Sequence, residues 1–82
     1  MPYQLFISEE AREQLRALPE ELRRNIGYRL HLLQQEFSGD IKAIEGQRNY
    51  YRMRVGGHRI LFRRKANKIE VYAVKQRKEA YE

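Results

Sequence analysis

Apolar residues recur along this chain with two different spacings, which predict helices in the first half and strands in the second. Residues 3–7 form a short apolar run typical of a strand, and Ser8 is placed to cap a helix that reaches Leu18. Pro19 suits the first turn of a second helix that ends near Glu36. Apolar residues three or four positions apart make this second helix amphipathic: Leu22, Ile26, Leu30, Leu33 and Phe37.

The remainder of the chain predicts three strands joined by tight turns. Ser38-Gly39-Asp40 is expected to end the second helix and a loop to run to about Arg48, followed by strands over residues 49–55, 58–64 and 69–75. Gly56-Gly57 is a strong hairpin signal because glycine adopts positive φ without strain, and residues 65–68 form a second turn. The predicted order is β-α-α-β-β-β. We therefore expect a single α+β domain over residues 1–82, with a helical hairpin packed on one face of an antiparallel sheet.

Alternation along the strands separates an apolar face from a basic face. With Gly56-Gly57 as the turn, Arg54 lies opposite Arg59, and Arg52 adds a third cation roughly 6.6 Å along the same strand. Like charges directly opposite each other destabilise a sheet, whereas a nucleic-acid backbone of matching phosphate spacing relieves them. The apolar face is predicted to hold Tyr51, Met53, Val55, His58, Ile60, Phe62, Ile69, Val71 and Ala73. The basic face is predicted to hold Tyr50, Arg52, Arg54, Arg59, Leu61, Arg63, Tyr72 and Val74; its exposed tyrosines offer stacking platforms for unpaired bases.

Charge is unevenly distributed, which indicates a polyanionic partner for the second half. The net charge is +6; residues 1–45 carry six lysines and arginines against eight acidic residues, whereas residues 46–82 carry eleven against three. The absence of cysteine excludes disulfides, thiol nucleophiles and cysteine-based zinc sites. We recognise no signal peptide and no apolar run of membrane-spanning length, so we expect a cytoplasmic protein with no membrane partner.

Three segments carry a family resemblance. Residues 51–62, YRMRVGGHRILF, resemble the core signature of the RelE/ParE toxin superfamily, and residues 71–81, VYAVKQRKEAY, and 43–46, AIEG, resemble its last strand with tail and the loop before its basic hairpin. The likeness implies a compact antiparallel sheet packed against two helices, and a toxin neutralised by a cognate antitoxin. RelE-like members cut messenger RNA, typically in the ribosomal decoding site. ParE-like members share the fold, poison DNA gyrase and usually lack the catalytic basic set.

The individual positions favour the RelE-like branch. The resemblance implies catalytic roles for two basic residues before the glycine turn, one after it, one after the last strand and a C-terminal tyrosine: Arg52, Arg54, Arg59, Arg77 and Tyr81. The best-known members have lysines where this chain has Arg52 and Arg54. Strict alternation puts Arg77 on the core face, so the chain is expected to bend near Lys75. Flanking residues are expected to bind RNA: Tyr50, Arg63, Tyr72, Lys75 and Lys78.

The residues also limit the chemistry. Between residues 46 and 78 the only acid is Glu70, which the register pairs with Arg63, so we expect neither a metal ion nor another cofactor. RNA supplies its own nucleophile, the 2′-hydroxyl, and arginines suit strand alignment and charge stabilisation. A guanidinium does not act as a base. Tyr81 is the preferred candidate for proton transfer; Glu45 and His58 are alternatives, although alternation places His58 on the core face.

These observations predict the toxin of a type II toxin–antitoxin system, a ribosome-dependent, metal-independent mRNA endonuclease that acts through the RNA 2′-hydroxyl. The expected partners are the cognate antitoxin and the ribosome with mRNA in its decoding site. An antitoxin segment with an amphipathic helix and acidic residues should cover the basic face or displace the C-terminal tail. Two alternatives stay open: a ParE-like DNA gyrase inhibitor without enzymatic activity, and a non-catalytic basic RNA-binding module.

Overall fold

The computed structural model describes residues 3–76, which fold into two helices and one five-stranded sheet. Within these residues, neither helix is both long and apolar enough to cross a membrane. The elements in chain order are β1 (Gln4–Ile7), α1 (Glu9–Arg16), α2 (Glu20–Glu36), β2 (Ile41–Ala43), β3 (Tyr50–Val55), β4 (His58–Lys65) and β5 (Lys68–Gln76).

The strands lie in the order β1-β5-β4-β3-β2. The predicted α+β class, with a helical hairpin on one face of the sheet, is confirmed. Two details differ from the prediction. First, β1 runs parallel to β5 while all other neighbouring pairs are antiparallel, so the sheet is mixed. Second, β2 adds a strand inside the predicted loop; three residues are too short a run for alternation to reveal, and β2 is defined by its pairing with β3.

Local signals in the sequence define the start of each helix. The Ser8 hydroxyl accepts a hydrogen bond of 3.1 Å from the amide of Ala11 and donates one of 3.3 Å to the carbonyl of Tyr72. Ser8 therefore caps α1, as predicted, and also ties it to β5. Pro19 occupies the N-cap position of α2, and two glutamates follow it in the first turn, where they favour the positive end of the helix dipole.

The C-terminal end of α2 is held by an aromatic cluster. Phe37 adopts a left-handed conformation with φ 52°, which costs an L-residue other than glycine on the order of 1 kcal/mol. Its ring offsets this strain by packing at centroid distances of 5.6, 5.3 and 5.9 Å against Tyr3, Tyr51 and Phe62, respectively. The chain consequently leaves α2 in a fixed direction, towards the edge of the sheet where β2 begins.

The core lies between the helices and one face of the sheet. Ile26, Leu30 and Leu33 of α2 are at most 3 % exposed and follow the predicted helical spacing. They pack over buried strand residues: Met53, Val55, Ile60, Phe62, Ile69, Val71 and Val74. Burial of each large apolar side chain contributes roughly 1.5–3 kcal/mol, so slipping any strand by one residue is strongly unfavourable. The core thereby fixes which side chains point to the opposite face, called the outer face below.

A bulge in β5 shifts the alternation of that strand. Leu61 pairs with Ala73, whereas the next residue, Phe62, pairs with Val71. Tyr72 is therefore the extra residue, and it lies between two pairs that would be consecutive in a regular ladder.

The bulge corrects one predicted position. Val74 pairs with Ile60 and packs in the core, where it is 6 % exposed, so its predicted place on the basic face is wrong. Ala73, predicted on the apolar face, is buried at 3 % exposure, and it pairs with Leu61. Strict alternation fails here because it assumes an unbroken strand. After the bulge, Lys75 pairs with Arg59 and so lies on the outer face.

Candidate active site

A pocket on the outer face gathers four cations around one carboxylate. It has a cavity volume of about 70 Å³, room for several water-sized groups at ~10–15 Å³ each. It is called the basic pocket here and is lined by Asp40, Lys42, Arg52, Arg54 and Arg59.

Strand register explains why these cations meet. Lys42 of β2 pairs with Arg52 of β3, and Arg54 of β3 pairs with Arg59 of β4, as the glycine turn predicted. Arg59 pairs in turn with Lys75 of β5. Three cations therefore lie side by side across three strands, about 4.8 Å apart in strand spacing. Each like-charged pair is repulsive by a few tenths to ~1 kcal/mol, which an anion in the pocket would relieve.

Asp40 reaches the pocket because of the glycine before it. Gly39 has φ 137°, a conformation that residues with side chains rarely adopt, and a Cβ there would lie 3.4 Å from Sδ of Met53. The chain turns closely against β3 at this point. The carbonyl of Asp40 then accepts a hydrogen bond of 2.9 Å from the Arg54 amide, and its carboxylate accepts one of 2.8 Å from Arg54 Nε.

The Asp40 carboxylate orients Arg54 without occupying its whole guanidinium. Among residues 3–76, the ion pair of Arg54 with Asp40 uses Nε, which leaves the two terminal nitrogens to bind another anion, and the Arg54 side chain is 57 % exposed. Arg59 differs, since it is only 3 % exposed and is the one charged residue classed as buried between residues 3 and 76. Desolvation strengthens its attraction for an anion that enters the pocket. The pocket thus combines an accessible guanidinium with a buried one.

Beside the basic pocket, the outer face carries two tyrosines in edge-to-face contact. The ring centroids of Tyr50 and Tyr72 are 5.8 Å apart and their planes are inclined by 72°. Burial, and secondarily the nearby Tyr50, raises the pKa of Tyr72, so its hydroxyl stays protonated at neutral pH. Arg63 pairs with Tyr50 and with Glu70, and its Nε donates a hydrogen bond of 2.5 Å to the Glu70 carboxylate. That bond, followed by one with Tyr50, raises the pKa of Arg63 above its already high ordinary value.

Comparison with solved structures identifies the fold. The chain is similar to one from the RelB–RelE antitoxin–toxin complex of Methanococcus jannaschii, with a TM-score of 0.79 and 29 % identity over 93 % of this chain and 94 % of the other. For the RelE–RelB complex of Pyrococcus horikoshii OT3 the TM-score is 0.80, with 25 % identity over 94 % of this chain and 97 % of the other. This protein has the RelE-like toxin fold. No protein-family model and no curated protein matches the chain.

The fold similarity extends to a toxin without a partner. A mutant of E. coli RelE in the free state matches with a TM-score of 0.83 at 18 % identity, over 99 % of this chain and 90 % of the other. At that identity the match concerns the RelE-like fold alone.

The RelE-like fold brings together three of the five residues predicted to be catalytic, namely Arg52, Arg54 and Arg59, in the basic pocket. Arg77 and Tyr81 lie outside the described residues, as does Lys78. The argument that Arg77 would face the core assumed a regular strand, and the bulge at Tyr72 removes that assumption. Four of the residues predicted to bind RNA lie on the outer face: Tyr50, Arg63, Tyr72 and Lys75. Their functional roles stay predictions.

The alternative proton-transfer residues do not line the basic pocket. His58 pairs with Val55 on the core side, and both of its ring nitrogens are buried without a hydrogen-bond partner among residues 3–76. Glu45 is exposed in the loop between β2 and β3. Within residues 3–76, no group of three or more histidine, aspartate or glutamate side chains is arranged to hold a metal ion.

Sequence reasoning missed two residues of the basic pocket, Asp40 and Lys42. Asp40 was interpreted only as part of a helix-ending segment, and Lys42 lay within the predicted loop. A weak signal existed in residues 41–44, IKAI, where one polar residue alternates with apolar ones. That signal is too short to separate a strand from a loop.

Proposed function

We propose that this protein is the toxin of a type II toxin–antitoxin system and acts as a metal-independent endonuclease on ribosome-bound mRNA in the cytoplasm. The observation that carries the proposal is the convergence of Arg52, Arg54 and Arg59 on one pocket of a RelE-like fold. The similarity to RelB–RelE and RelE–RelB complexes supports the toxin assignment and a cognate antitoxin as partner.

The basic pocket suits one phosphodiester and its developing charge. A guanidinium binds two phosphate oxygens at once through its planar fork, and the terminal nitrogens of Arg54, which the Asp40 bond does not use, supply such a fork. Arg59, desolvated on the neighbouring strand, adds a second donor group whose attraction is strongest for the most negative species. Since the pentacoordinate transition state carries more negative charge than the substrate phosphate, this arrangement favours the transition state.

The reaction needs no nucleophile from the protein. The 2′-oxygen of one nucleotide attacks the adjacent phosphorus in line, a P–O2′ bond forms and the P–O5′ bond breaks, giving a 2′,3′-cyclic phosphate and a 5′-hydroxyl. The proton of the 2′-hydroxyl passes to a base and another proton is given to the leaving 5′-oxygen. Tyr81 is the acceptor that the sequence favours. The remaining task, alignment of the strand, falls to the arginines and to the ribosome that presents the codon.

Asp40 acts in this proposal as a positioning residue. Its backbone and side chain both bond Arg54, which restricts the rotation of a long side chain before the substrate arrives. A pre-oriented guanidinium loses less entropy on binding phosphate. Among residues 3–76, the pocket is lined by four cations and one carboxylate, which favours an anionic ligand.

The antitoxin is expected to neutralise the toxin by covering this positive face. An acidic, amphipathic segment matches both the cations and the tyrosines of the outer face. Its binding should weaken with added salt, because the attraction is between exposed charges.

Primer extension on a defined mRNA tests the function. The full-length protein is incubated with the mRNA, with and without programmed ribosomes, beside two variants. Arg54→Ala removes an arginine of the basic pocket. Arg24→Ala is the control, because Arg24 forms a more exposed ion pair of 2.7 Å with Glu20 on α2, away from the outer face.

The proposal predicts new 5′ ends at the decoding-site codon, which appear only with ribosomes, persist with Arg24→Ala and are lost with Arg54→Ala. Folded protein that produces no cleavage in any lane contradicts the nuclease assignment. A gyrase supercoiling assay on the same preparation then tests the ParE-like alternative directly.

A further inference from the structure

A second pocket lies on the outer face at the β1 edge of the sheet. It has a cavity volume of about 240 Å³, is called the distal pocket below, and is lined by Phe6, Arg63, Lys65, Lys68 and Glu70. Register places Phe6 beside Glu70 and Glu70 beside Arg63. The distal pocket therefore shares a sheet face with the basic pocket, although the reaction described above makes no use of it.

Phe6 is an unusual residue for its position. Leu5 and Ile7 on either side pack against the core, so alternation places the side chain of Phe6 on the outer face. Its side chain is 50 % exposed. A single exposed aromatic ring is common on protein surfaces and by itself indicates nothing. This ring, however, lines a pocket and has Lys68 Nζ 6.0 Å from its centroid, within the range of a cation–π contact.

The charges around the ring favour a nucleotide as the occupant. Glu70 already bonds Arg63, whereas neither Lys65 nor Lys68 forms an ion pair with a described residue. These two lysines also lie directly opposite each other across their turn, a second like-charged pair on the outer face. A flat ring beside two uncompensated lysines complements an unpaired base and its phosphates. It offers much less to a purely apolar peptide segment.

Resting on the proposed function, we propose that the distal pocket is a subsite for an unpaired RNA base, which stacks on Phe6 while Lys65 and Lys68 bind the adjoining phosphates. Phe6 is three strand spacings, roughly 14 Å, across the sheet from Arg54 and four residues, roughly 13 Å, along the strands from it. The diagonal of about 20 Å is on the order of three nucleotides of extended single strand. The Tyr50–Tyr72 pair lies on the same face, with Tyr50 on β3 and Tyr72 on β5. RNA whose scissile phosphate sits in the basic pocket thus extends across the sheet to Phe6.

Affinity measurements with short RNAs test the subsite. Fluorescence anisotropy at low salt is used to compare a labelled hexanucleotide with a dinucleotide, both 2′-O-methylated so that cleavage is blocked, on the full-length protein. Phe6→Ala and Phe6→Leu remove the ring, and Phe6→Trp keeps one. Tyr28→Ala is the matched control, since Tyr28 is also an exposed ring (59 %) but lies on α2. Thermal unfolding confirms that each variant is folded.

Loss of the ring should weaken hexanucleotide binding about 5- to 100-fold, the size expected for one base–aromatic stack, and leave dinucleotide binding unchanged. Phe6→Trp and Tyr28→Ala should bind both RNAs as the unchanged protein does. Equal hexanucleotide affinity for Phe6→Ala and the unchanged protein overturns the subsite, provided that Arg54→Ala still weakens both RNAs. If Arg54→Ala also has no effect, or the unchanged protein binds no RNA, the proposed function fails together with the subsite.

Discussion

The basic pocket and the distal pocket are built from similar parts but have different neighbours. In each, an arginine Nε donates to a carboxylate, at 2.8 Å from Arg54 to Asp40 and at 2.5 Å from Arg63 to Glu70. Both arginine side chains are about half exposed, at 57 % and 50 %. The two arginines differ in their cross-strand neighbours in the sheet. Glu70 is itself the cross-strand neighbour of Arg63, whereas the cross-strand neighbour of Arg54 is Arg59.

The two pockets show that the effect of an arginine–carboxylate ion pair on local charge depends on the cross-strand neighbours of the arginine. Glu70 neutralises Arg63 within the sheet, so the distal pocket retains two lysines and a ring. Asp40 approaches Arg54 from outside β3 and β4, and the ladder itself places Arg54, Arg59 and Lys75 side by side in one row. We infer that the basic pocket is arranged for phosphate charge and the distal pocket for holding the strand.

The largest expected effect separates the two arginines kinetically. Arg54→Ala should lower kcat on ribosome-bound mRNA by about 10²–10³-fold, as removal of one transition-state donor typically does. Arg63→Ala should mainly raise KM, because Arg63 is proposed to bind the strand away from the reacting phosphate. Single-turnover cleavage at saturating and limiting ribosome concentrations measures both constants.

Equal losses of kcat in the two variants would remove the distinction between the pockets. The result would mean that the whole outer face acts as one charged surface. Circular dichroism on both variants controls for folding, which is expected to survive because both side chains are half exposed.

Much of this fold follows from short-range sequence signals. Ser8 caps α1, Gly56 adopts φ 59° in the predicted turn, and the register of β3 with β4 follows from that turn. The bulge at Tyr72 could not be predicted, because it depends on how β5 fits both β4 and the helices and leaves no local sequence mark. The same holds for β2, whose three residues become a strand only by pairing with β3.

The residues of the basic pocket could be predicted where charged residues alternate along a strand. They could not be predicted where a loop brings a distant residue to the strand. Arg52, Arg54 and Arg59 stand out because alternation aligns them. Asp40 reaches Arg54 across 14 positions through a glycine-dependent turn, a contact that no spacing rule describes. Phe6 lies in a strand that was predicted because the whole segment is apolar. An apolar segment gives no sign that one of its residues faces outward.

The second prediction concerns the carboxylate of the basic pocket. Asp40→Asn keeps the shape of the side chain but removes its charge, so Arg54 should be held less firmly and kcat should fall about tenfold. Asp40→Glu should restore part of the activity. Glu20→Gln is the matched control, since it removes the carboxylate of the Arg24 ion pair on α2 and should leave kcat unchanged.

A pH–rate profile distinguishes positioning from proton transfer at Asp40. If Asp40 only positions Arg54, the Asp40→Asn profile should keep the shape of the wild-type profile at lower height. Disappearance of the acidic limb in Asp40→Asn would instead make Asp40 the proton acceptor and would contradict the positioning role.

The third prediction compares two substitutions on the outer face that should change the free energy of unfolding in opposite directions. Lys75→Met removes one cation beside Arg59 and should raise the free energy of unfolding by about 0.2–1 kcal/mol, because a like-charged pair is lost. Glu70→Gln removes the partner of Arg63 and should lower it by about 0.2–1 kcal/mol. Urea denaturation measures both. In RNA binding, Lys75→Met should also reduce the slope of log K against log salt by about 0.7, the value for one phosphate contact with a single strand. Destabilisation by Lys75→Met would show that the row is not repulsive.

The smallest expected effect is a pH dependence at the tyrosines between the pockets. Burial first, and Tyr50 second, raises the pKa of Tyr72 above its ordinary value of about 10. Folding therefore favours the protonated phenol, and this contribution is complete below about pH 10 and is lost as pH rises through the folded-state pKa. Tyr72→Phe should accordingly lose less stability than the wild type between pH 9 and pH 11, which thermal unfolding at both pH values measures. Tyr50→Phe should lower the pKa of Tyr72 only in part, because burial, the larger cause, remains. Identical alkaline stability losses in wild type and Tyr72→Phe would mean that the Tyr72 hydroxyl is as well solvated in the folded protein as in the unfolded chain.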